Sequence, residues 1–172
     1  MTDKRLEKIR AYVFSSLVIT KENKEKIEEK VLSIIDEDES ILTLQDDDFG
    51  ENLGMFAAKY GLERVVLRCL ENKEASLQQD KILGYNIGMF AAVNKLEKAV
   101  IKALDNKEAA VQQDKWNYNI GMHAAKSGLR RATLKALQNK EAVSQINRAG
   151  RTIADYARLR GIINCDDNSF AK

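Results

Sequence analysis

Proline is missing altogether from this 172-residue chain, where average usage would supply about 8. Even the turns and first helical positions that usually welcome it do without it. The two cysteines, Cys69 and Cys165, stand far apart and outside any metal-ligand spacing, which points to reduced thiols in an intracellular setting. Histidine occurs once, at His123, and no His-x-x-x-His or Cys-x-x-Cys frame supports a zinc site. The chain has neither a Gly-x-x-x-x-Gly-Lys-Ser/Thr loop nor a Gly-x-Gly-x-x-Gly turn after a strand, which removes the usual phosphate cradles. Asp46, Asp47 and Asp48 lack the spaced ligands, glycine and terminal glutamate of a calcium loop, and read instead as a charged loop tip. No catalytic residue, metal or cofactor is therefore expected. Long apolar runs are also absent, and no stretch approaches the 18 residues of a membrane span.

Hydrophobic residues make up 44% and charged residues 31%, a balance that suits a soluble globular chain rather than a disordered one. Lys4, Arg5, Lys8 and Arg10 precede an apolar run from Ala11 to Ile19, which resembles a signal peptide. Against that, Ser15 and Ser16 interrupt the run, and Leu6, Ile9, Val13 and Leu17 recur at helical spacing, so a structural helix over about 4–18 is expected. The net charge of +2 conceals a polarity. Residues 1–79 carry 12 basic and 17 acidic side chains, whereas residues 80–172 carry 16 basic and 9 acidic ones. Such a gradient can orient a charged partner, although an unevenly drifted surface would look the same.

Repetition is the strongest signal present. Asn52-Leu-Gly-Met-Phe-Ala-Ala58 returns as Asn86-Ile-Gly-Met-Phe-Ala-Ala92 and Asn119-Ile-Gly-Met-His-Ala-Ala125. A second phrase keeps step: Leu70-Glu-Asn-Lys-Glu-Ala75, Leu104-Asp-Asn-Lys-Glu-Ala109 and Leu137-Gln-Asn-Lys-Glu-Ala142. Two phrases locked at 33 to 34 residues define a repeat array whose units bury their apolar faces against one another. The chain divides into an N-terminal helical capping unit at 1–45, repeats at 46–79, 80–113 and 114–146, a terminal repeat at 147–163, and a polar tail at 164–172. In the cap, a second helix over about 22–36 is expected, with Thr20 before it and Ile27, Val31, Leu32 and Ile35 facing inward. The acidic run from Asp36 to Glu39 then reads as a solvated loop.

Each repeat reads as finger, helix, tight turn, helix and loop. Asn119 is suited to cap the first helix, and Gly128 to end it in the left-handed conformation. Leu129, Ala132, Thr133, Ala136 and Leu137 mark one face of a second helix, matching Leu62 to Leu70 and Leu96 to Leu104. Cys69 falls where Ala103 and Ala136 stand and reads as a small core residue. His123 falls where Phe56, Phe90 and Tyr156 stand and reads as a packing residue rather than a general base. Asn72, Asn106 and Asn139 follow the second helix and suit a left-handed stop.

A 33-residue finger-helix-turn-helix unit with paired alanines and a glycine three residues later resembles the ankyrin repeat. Asn-Ile-Gly-Met stands where that family has Thr-Pro-Leu-His, and Gly150-Arg-Thr-Ile-Ala-Asp-Tyr-Ala157 looks like a closing repeat. The resemblance covers 46–163 and reaches 1–45 only in outline. Met55, Met89 and Met122 replace the family's histidine, and Gly54, Gly88 and Gly121 replace its leucine at a cost in core volume. Lys95 replaces the turn glycine, with Asn94 a candidate for the left-handed position. The resemblance implies an all-α helical-repeat solenoid with short finger loops, and a concave face of fingers and first helices that grips protein partners.

Positions that differ at one repeated place are available for recognition. On the fingers these include Phe49, Lys81, Ile82, Tyr85, Lys115, Trp116, Tyr118, Arg148 and Arg151, and the first helices add Tyr60 and Lys126. Trp116, the single tryptophan, flanked by a lysine and tyrosines, reads as an interface anchor or as a residue that packs its finger on the next. Leu67, Ile101 and Leu134 offer a second apolar strip on the convex side, unless they pack between units. The expected function is non-catalytic binding of a protein partner, with an acidic partner suiting the lysines. Alternatives are a convex-side spacer, a regulatory or targeting subunit of an enzyme system, and a secreted effector acting on host proteins. Nucleic acid is disfavoured because the basic end is modest and the other end acidic. A cytoplasmic monomer is expected, or a protein delivered into a host cell if the source is bacterial.

Overall fold

The computed structural model describes residues 3–15 and 19–164, and the cysteine at position 165, Leu17 and all of the expected polar tail except Asn164 lie outside them. Every regular element among the described residues is helical, apart from one isolated antiparallel bridge between Gln45 and Asn52. The chain opens with α1 (Lys4–Ser15), α2 (Lys21–Glu37) and a 3-10 turn (Glu39–Thr43). Three triplets follow: α3 (Leu53–Lys59), α4 (Glu63–Cys69) and α5 (Lys73–Leu77); α6 (Ile87–Val93), α7 (Glu97–Ala103) and α8 (Lys107–Val111); α9 (Ile120–Lys126), α10 (Arg130–Ala136) and α11 (Lys140–Ser144). Helix α12 (Ile153–Leu159) closes the described fold.

The first helices pack in succession, α3 on α6, α6 on α9 and α9 on α12, and the second helices follow as α4 on α7 and α7 on α10. A continuous apolar core runs through these layers from Leu6 and Ile9 to Ile162 and Ile163. In the N-terminal segment, α1 stops at Ser15 among the described residues, while Thr20 caps α2 through a reciprocal box with Asn23. Ile27, Val31 and Ile35 are buried and Leu32 packs half-buried against them. The acidic run is not the expected solvated loop: Asp36 and Glu37 end α2 and Glu39 opens the 3-10 turn, while Asp38 pairs with Arg5, and Asp36 and Glu39 pair with Arg68.

Asn72, Asn106 and Asn139 do not adopt the expected left-handed stop. Their φ values are −86°, −83° and −87°, and each side chain caps a third, five-residue helix. The asparagine oxygen accepts backbone N–H groups two or three residues on, which favours starting a helix over terminating one. Lys95 itself, not Asn94, takes the left-handed turn, with φ 60°. Asn94 instead donates to the Phe90 carbonyl.

The helical glycines are not a loss of core. A Cβ on Gly88 would lie 2.5 Å from Ile120 Cδ1 and 2.8 Å from Ala103 Cβ, and Gly54 and Gly121 face Ile87 and Ile153 in the same way. Each glycine is therefore the socket for an isoleucine of the following unit, and the missing side chain is replaced by a neighbour's. Helices α4 and α10 lack a side-chain cap of their own. A carboxylate from the preceding unit supplies it: Glu28 accepts from the Arg64 N–H, and Glu97 from those of Arg131 and Ala132.

The units are also tied by buried amides. Asn52, Asn86 and Asn119 are fully buried and cap α3, α6 and α9 through their oxygens. Their amide N–H groups donate to the carbonyls of Ala75, Ala109 and Ala142 and to the side-chain oxygens of Gln78, Gln112 and Gln145. Those glutamines donate back to the preceding segment, at the carbonyls of Thr43, Leu77 and Val111, each at 2.7 Å.

These joints can be tested through stability. Gly88→Ala should cost about 1–3 kcal/mol by overpacking. Part of that cost should disappear in an Ile120→Val background, which removes the colliding Cδ1 but leaves the Ala103 Cβ contact, and urea melts of the double-mutant cycle measure the coupling. Asn86→Ala should cost about 2–4 kcal/mol, since it leaves the Met89 N–H without its cap and the Gln112 side-chain oxygen without its donor. A loss below about 0.5 kcal/mol would mean that the joint is not shared between units.

Candidate protein-binding face

Each finger is a short turn organised by one side chain. Asp46, Asp80, Asp114 and Asn147 are buried, so Asp46 is not part of the exposed loop tip that the sequence implies, whereas Asp47 and Asp48 are exposed. The Asp80 carboxylate accepts the N–H groups of Ile82, Leu83 and Tyr85, Asp114 accepts those of Trp116 and Tyr118, and Asn147 accepts those of Ala149 and Arg151. A backbone bond closes each turn, from Asp80 N–H to Tyr85 and, one residue shorter, from Asp114 N–H to Tyr118. This shortening of the finger is where the period changes from 34 to 33. The left-handed residue near each turn's end is Gly50, Gly84, Asn117 or Gly150. Successive fingers are joined through Lys81 N–H to the Phe49 carbonyl, Lys115 N–H to Leu83 and Arg148 N–H to Trp116. Gln45, Gln79 and Gln113 add side-chain bonds from each finger base to the next, at the carbonyls of Gln79, Gln113 and Ile146.

This scaffold leaves large apolar side chains standing at its tips. Phe49, Ile82 and Trp116 are respectively 49%, 54% and 43% exposed. Trp116 makes no aromatic or cation–π pair among the described residues, and its backbone N–H is held by Asp114. Lys81 and Lys115 also pin each finger to the one before, since their ammonium groups donate to the carbonyls of Asp47 and Lys81, at 2.7 and 2.6 Å.

Behind the tips the aromatic side chains form a row. Tyr85 lies edge-on to Phe90 and to His123, with centroids 5.2 and 4.8 Å apart. Tyr118 follows, 5.3 Å from His123 and 5.7 Å from Tyr156, with the two phenol oxygens 2.9 Å apart. Phe56 and Tyr60 form a separate tilted pair at the N-terminal end. Tyr85 and Tyr118 are thus brought together through His123, and Tyr60 stands apart. Cations cover the rings: Arg10 lies over Phe56, Lys59 over Phe90, Lys126 over Tyr118 and Arg151 over Tyr156. Arg10 also binds the buried carboxylates of Asp46 and Glu51, and Lys59 pairs with Glu51. Arg148 and Arg151 are exposed at the last finger.

His123 packs within the row, and its Nε2 shares a 2.9 Å hydrogen bond with Asp114 Oδ2. One unit on, Asn147 donates to the Tyr156 hydroxyl at 2.8 Å, so the amide and phenol replace the carboxylate and imidazole together. Burial pushes the Tyr85 phenol upward. The bond to Tyr156, reinforced by burial, pushes Tyr118 to about 12, so both phenols stay neutral. Cys69 is fully buried, and burial pushes its thiol up to about 12, which removes it as a nucleophile. Leu67, Ile101 and Leu134 are half-buried and pack on the core rather than standing as a free strip. Among the described residues no cluster of three or more candidate metal ligands occurs, and no helix is long and apolar enough to cross a membrane.

The half-buried glutamines and buried finger aspartates escape a sequence-based reading as site-building residues. Their signal is the phrase Gln-Gln-Asp at 78–80 and 112–114, shortened to Gln45-Asp46 at the first finger. Neither a protein-family model nor a curated protein matches this chain. The finger scaffold and its exposed tips therefore carry the functional argument.

Burial alone would push the Asp114 carboxyl up, but hydrogen bonds from His123, Tyr118 and Trp116 hold it below its ordinary range. A carboxylate lowered in the fold stabilises it above the unfolded value of about 3.9, and that stability is lost as pH falls through the folded value. Asp114→Asn should therefore unfold more easily than wild type at pH 7, and the gap should shrink from about pH 5 downward. A gap in denaturation midpoint that stays constant over that range would assign the effect to packing instead of charge.

Proposed function

We propose that this chain is a non-catalytic protein-recognition module, an ankyrin-like helical-repeat solenoid that grips its partner with fingers and first helices. The observation that carries the reading is the contrast within each finger. The base is fixed by a buried aspartate or asparagine, a closing backbone bond and a bond to the neighbouring finger. The tip presents Phe49, Ile82 or Trp116 to solvent. Large apolar side chains on a rigid base are suited to recognition, because little conformational entropy is lost on binding. The side-by-side order of first helices from α3 to α12 agrees with a solenoid in which the tips form one row. The packing of Leu67, Ile101 and Leu134 against the core weighs against the opposite side as the site. Within this reading Trp116 is the anchor, Tyr85 and Tyr118 support the floor, and Tyr60 belongs to the N-terminal end.

The test is photo-crosslinking in cells of the source organism. A photoreactive residue at Ile82 or Ala149, on the finger tips, should capture a partner, whereas one at Leu67 or Ile101 should not. Trp116→Ala should reduce the finger-tip capture strongly, matching a loss of about 2 kcal/mol or more in binding. Capture confined to Leu67 or Ile101 would move the site to the second helices.

A further inference from the structure

The C-terminal half of the finger face has a charge arrangement that the repeat pattern does not require. From Lys115 onward, the fingers and first helices expose Lys115, Lys126, Arg148 and Arg151, with Arg158 half-buried. The acids of the same elements are spent: Asp114 is buried against His123, and Asp155 is taken up by Thr152 and Arg158. Lys126, Arg148 and Arg151 have no carboxylate within ion-pair distance among the described residues. At the other end the pattern reverses, since Arg10 and Lys59 are neutralised by Asp46 and Glu51, and the first finger exposes Asp47 and Asp48.

The unpaired cations and Trp116 stand on neighbouring elements. Arg148 is bonded through its backbone to the Trp116 carbonyl at 3.1 Å. Lys126 stands 4.8 Å over the Tyr118 ring, Tyr118 is hydrogen-bonded to Tyr156, and Arg151 stands 5.8 Å over the Tyr156 ring. The two cations rest on rings and make no direct ion pair, and the one carboxylate that faces Arg151, that of Asp155, is already bonded to Thr152 and Arg158. Nearby, Trp116 supplies a 43% exposed apolar surface.

We propose that this surface binds an acidic polypeptide segment, whose carboxylates pair with Lys126, Arg148 and Arg151 while an apolar side chain lies on Trp116. The proposal rests on the finger face being the recognition surface. Charge complementarity selects the occupant: carboxylates satisfy the cations, and the acidic first finger repels the far end of a uniformly acidic chain, which sets the direction of binding. A single-stranded nucleic acid fits less well. Its bases stack on successive open ring faces, whereas Lys126 and Arg151 already lie over Tyr118 and Tyr156, which leaves Trp116 as a single platform.

The experiment is selection of short random peptides, displayed on phage, against the full chain, followed by affinity measurement on the winners. The selected peptides should be rich in Asp and Glu around an aromatic or aliphatic residue, and their affinity should fall steeply with salt. Arg148→Glu combined with Arg151→Glu should weaken them by about tenfold or more, whereas Lys98→Glu with Lys102→Glu on the second-helix face should change affinity less than about twofold. Circular dichroism confirms that each variant is folded, and the salt titration of the unmodified chain tests the charge pairing without any variant. Neutral or basic winners, an equal effect of both reversals, or tighter binding of an oligothymidine than of the best peptide would each overturn the proposal. Neutral winners that still depend on Trp116 would overturn the acidic partner while leaving the finger face standing. Winners lost on Leu67→Ala or Ile101→Ala but indifferent to Trp116→Ala would overturn both.

Discussion

The rest of this structure depends on a buried side-chain amide at the start of each first helix. Asn52, Asn86 and Asn119 have no contact with water, so every donor and acceptor they carry must find a partner inside the fold. The oxygen goes to the helix N-terminus, and the two N–H bonds go to the third helix and to a glutamine. That glutamine passes the bond to the preceding unit. One amide thus fixes where the helix begins, where the chain returns and how neighbouring units are aligned. An aliphatic residue of the same size would fill the space but leave a helix N–H without its acceptor and a glutamine oxygen without its donor, and such losses are costly in a dry interior.

Packing is complementary to this polar joint. The glycine two residues after each asparagine is the socket for an isoleucine one unit on. Both features operate across unit boundaries, which explains why a chain without proline or disulfide constraint can keep its short helices in register. Seven-residue helices are too short to be stable alone, and their stability comes from neighbours. Helix α10 makes the dependence explicit, because Glu97 of the preceding helix α7 supplies its N-terminal cap.

The finger face inherits its rigidity from the same system. The aspartate that organises each finger directly follows a glutamine that bonds to the next finger base at Gln45, Gln79 and Gln113, so the tip is carried on a tethered base. What varies is the tip itself and the pairing state of the cations behind it. Near the N-terminus the cations are neutralised by buried carboxylates, whereas beyond Lys115 they rest on tyrosine rings. A single scaffold therefore presents two electrostatic ends, and under the proposed function that difference makes the face directional.

The sequence by itself determined the helical class, the 33- to 34-residue repeat, the caps at Asn52, Asn86, Asn119 and Thr20, and the burial of Cys69 and His123. These were legible because each rests on local chemistry repeated in register: a capping side chain, a 3.6-residue apolar period, a small residue at one place. It also picked out the exposed tips, since Phe49, Ile82 and Trp116 differ where the repeat otherwise agrees. Only the tertiary structure decided the jobs that one unit does for another. Gly88 looked like missing volume until Ile120 filled it, Asn106 looked like a helix stop until it capped a third helix, and Lys115 looked like a free cation until its ammonium met the Lys81 carbonyl. The pairing of buried Asp114 with His123 likewise emerges only in the folded chain. In each case the deciding atom belongs to another element of the fold, and no periodicity within a unit specifies which atoms the packing will bring within reach.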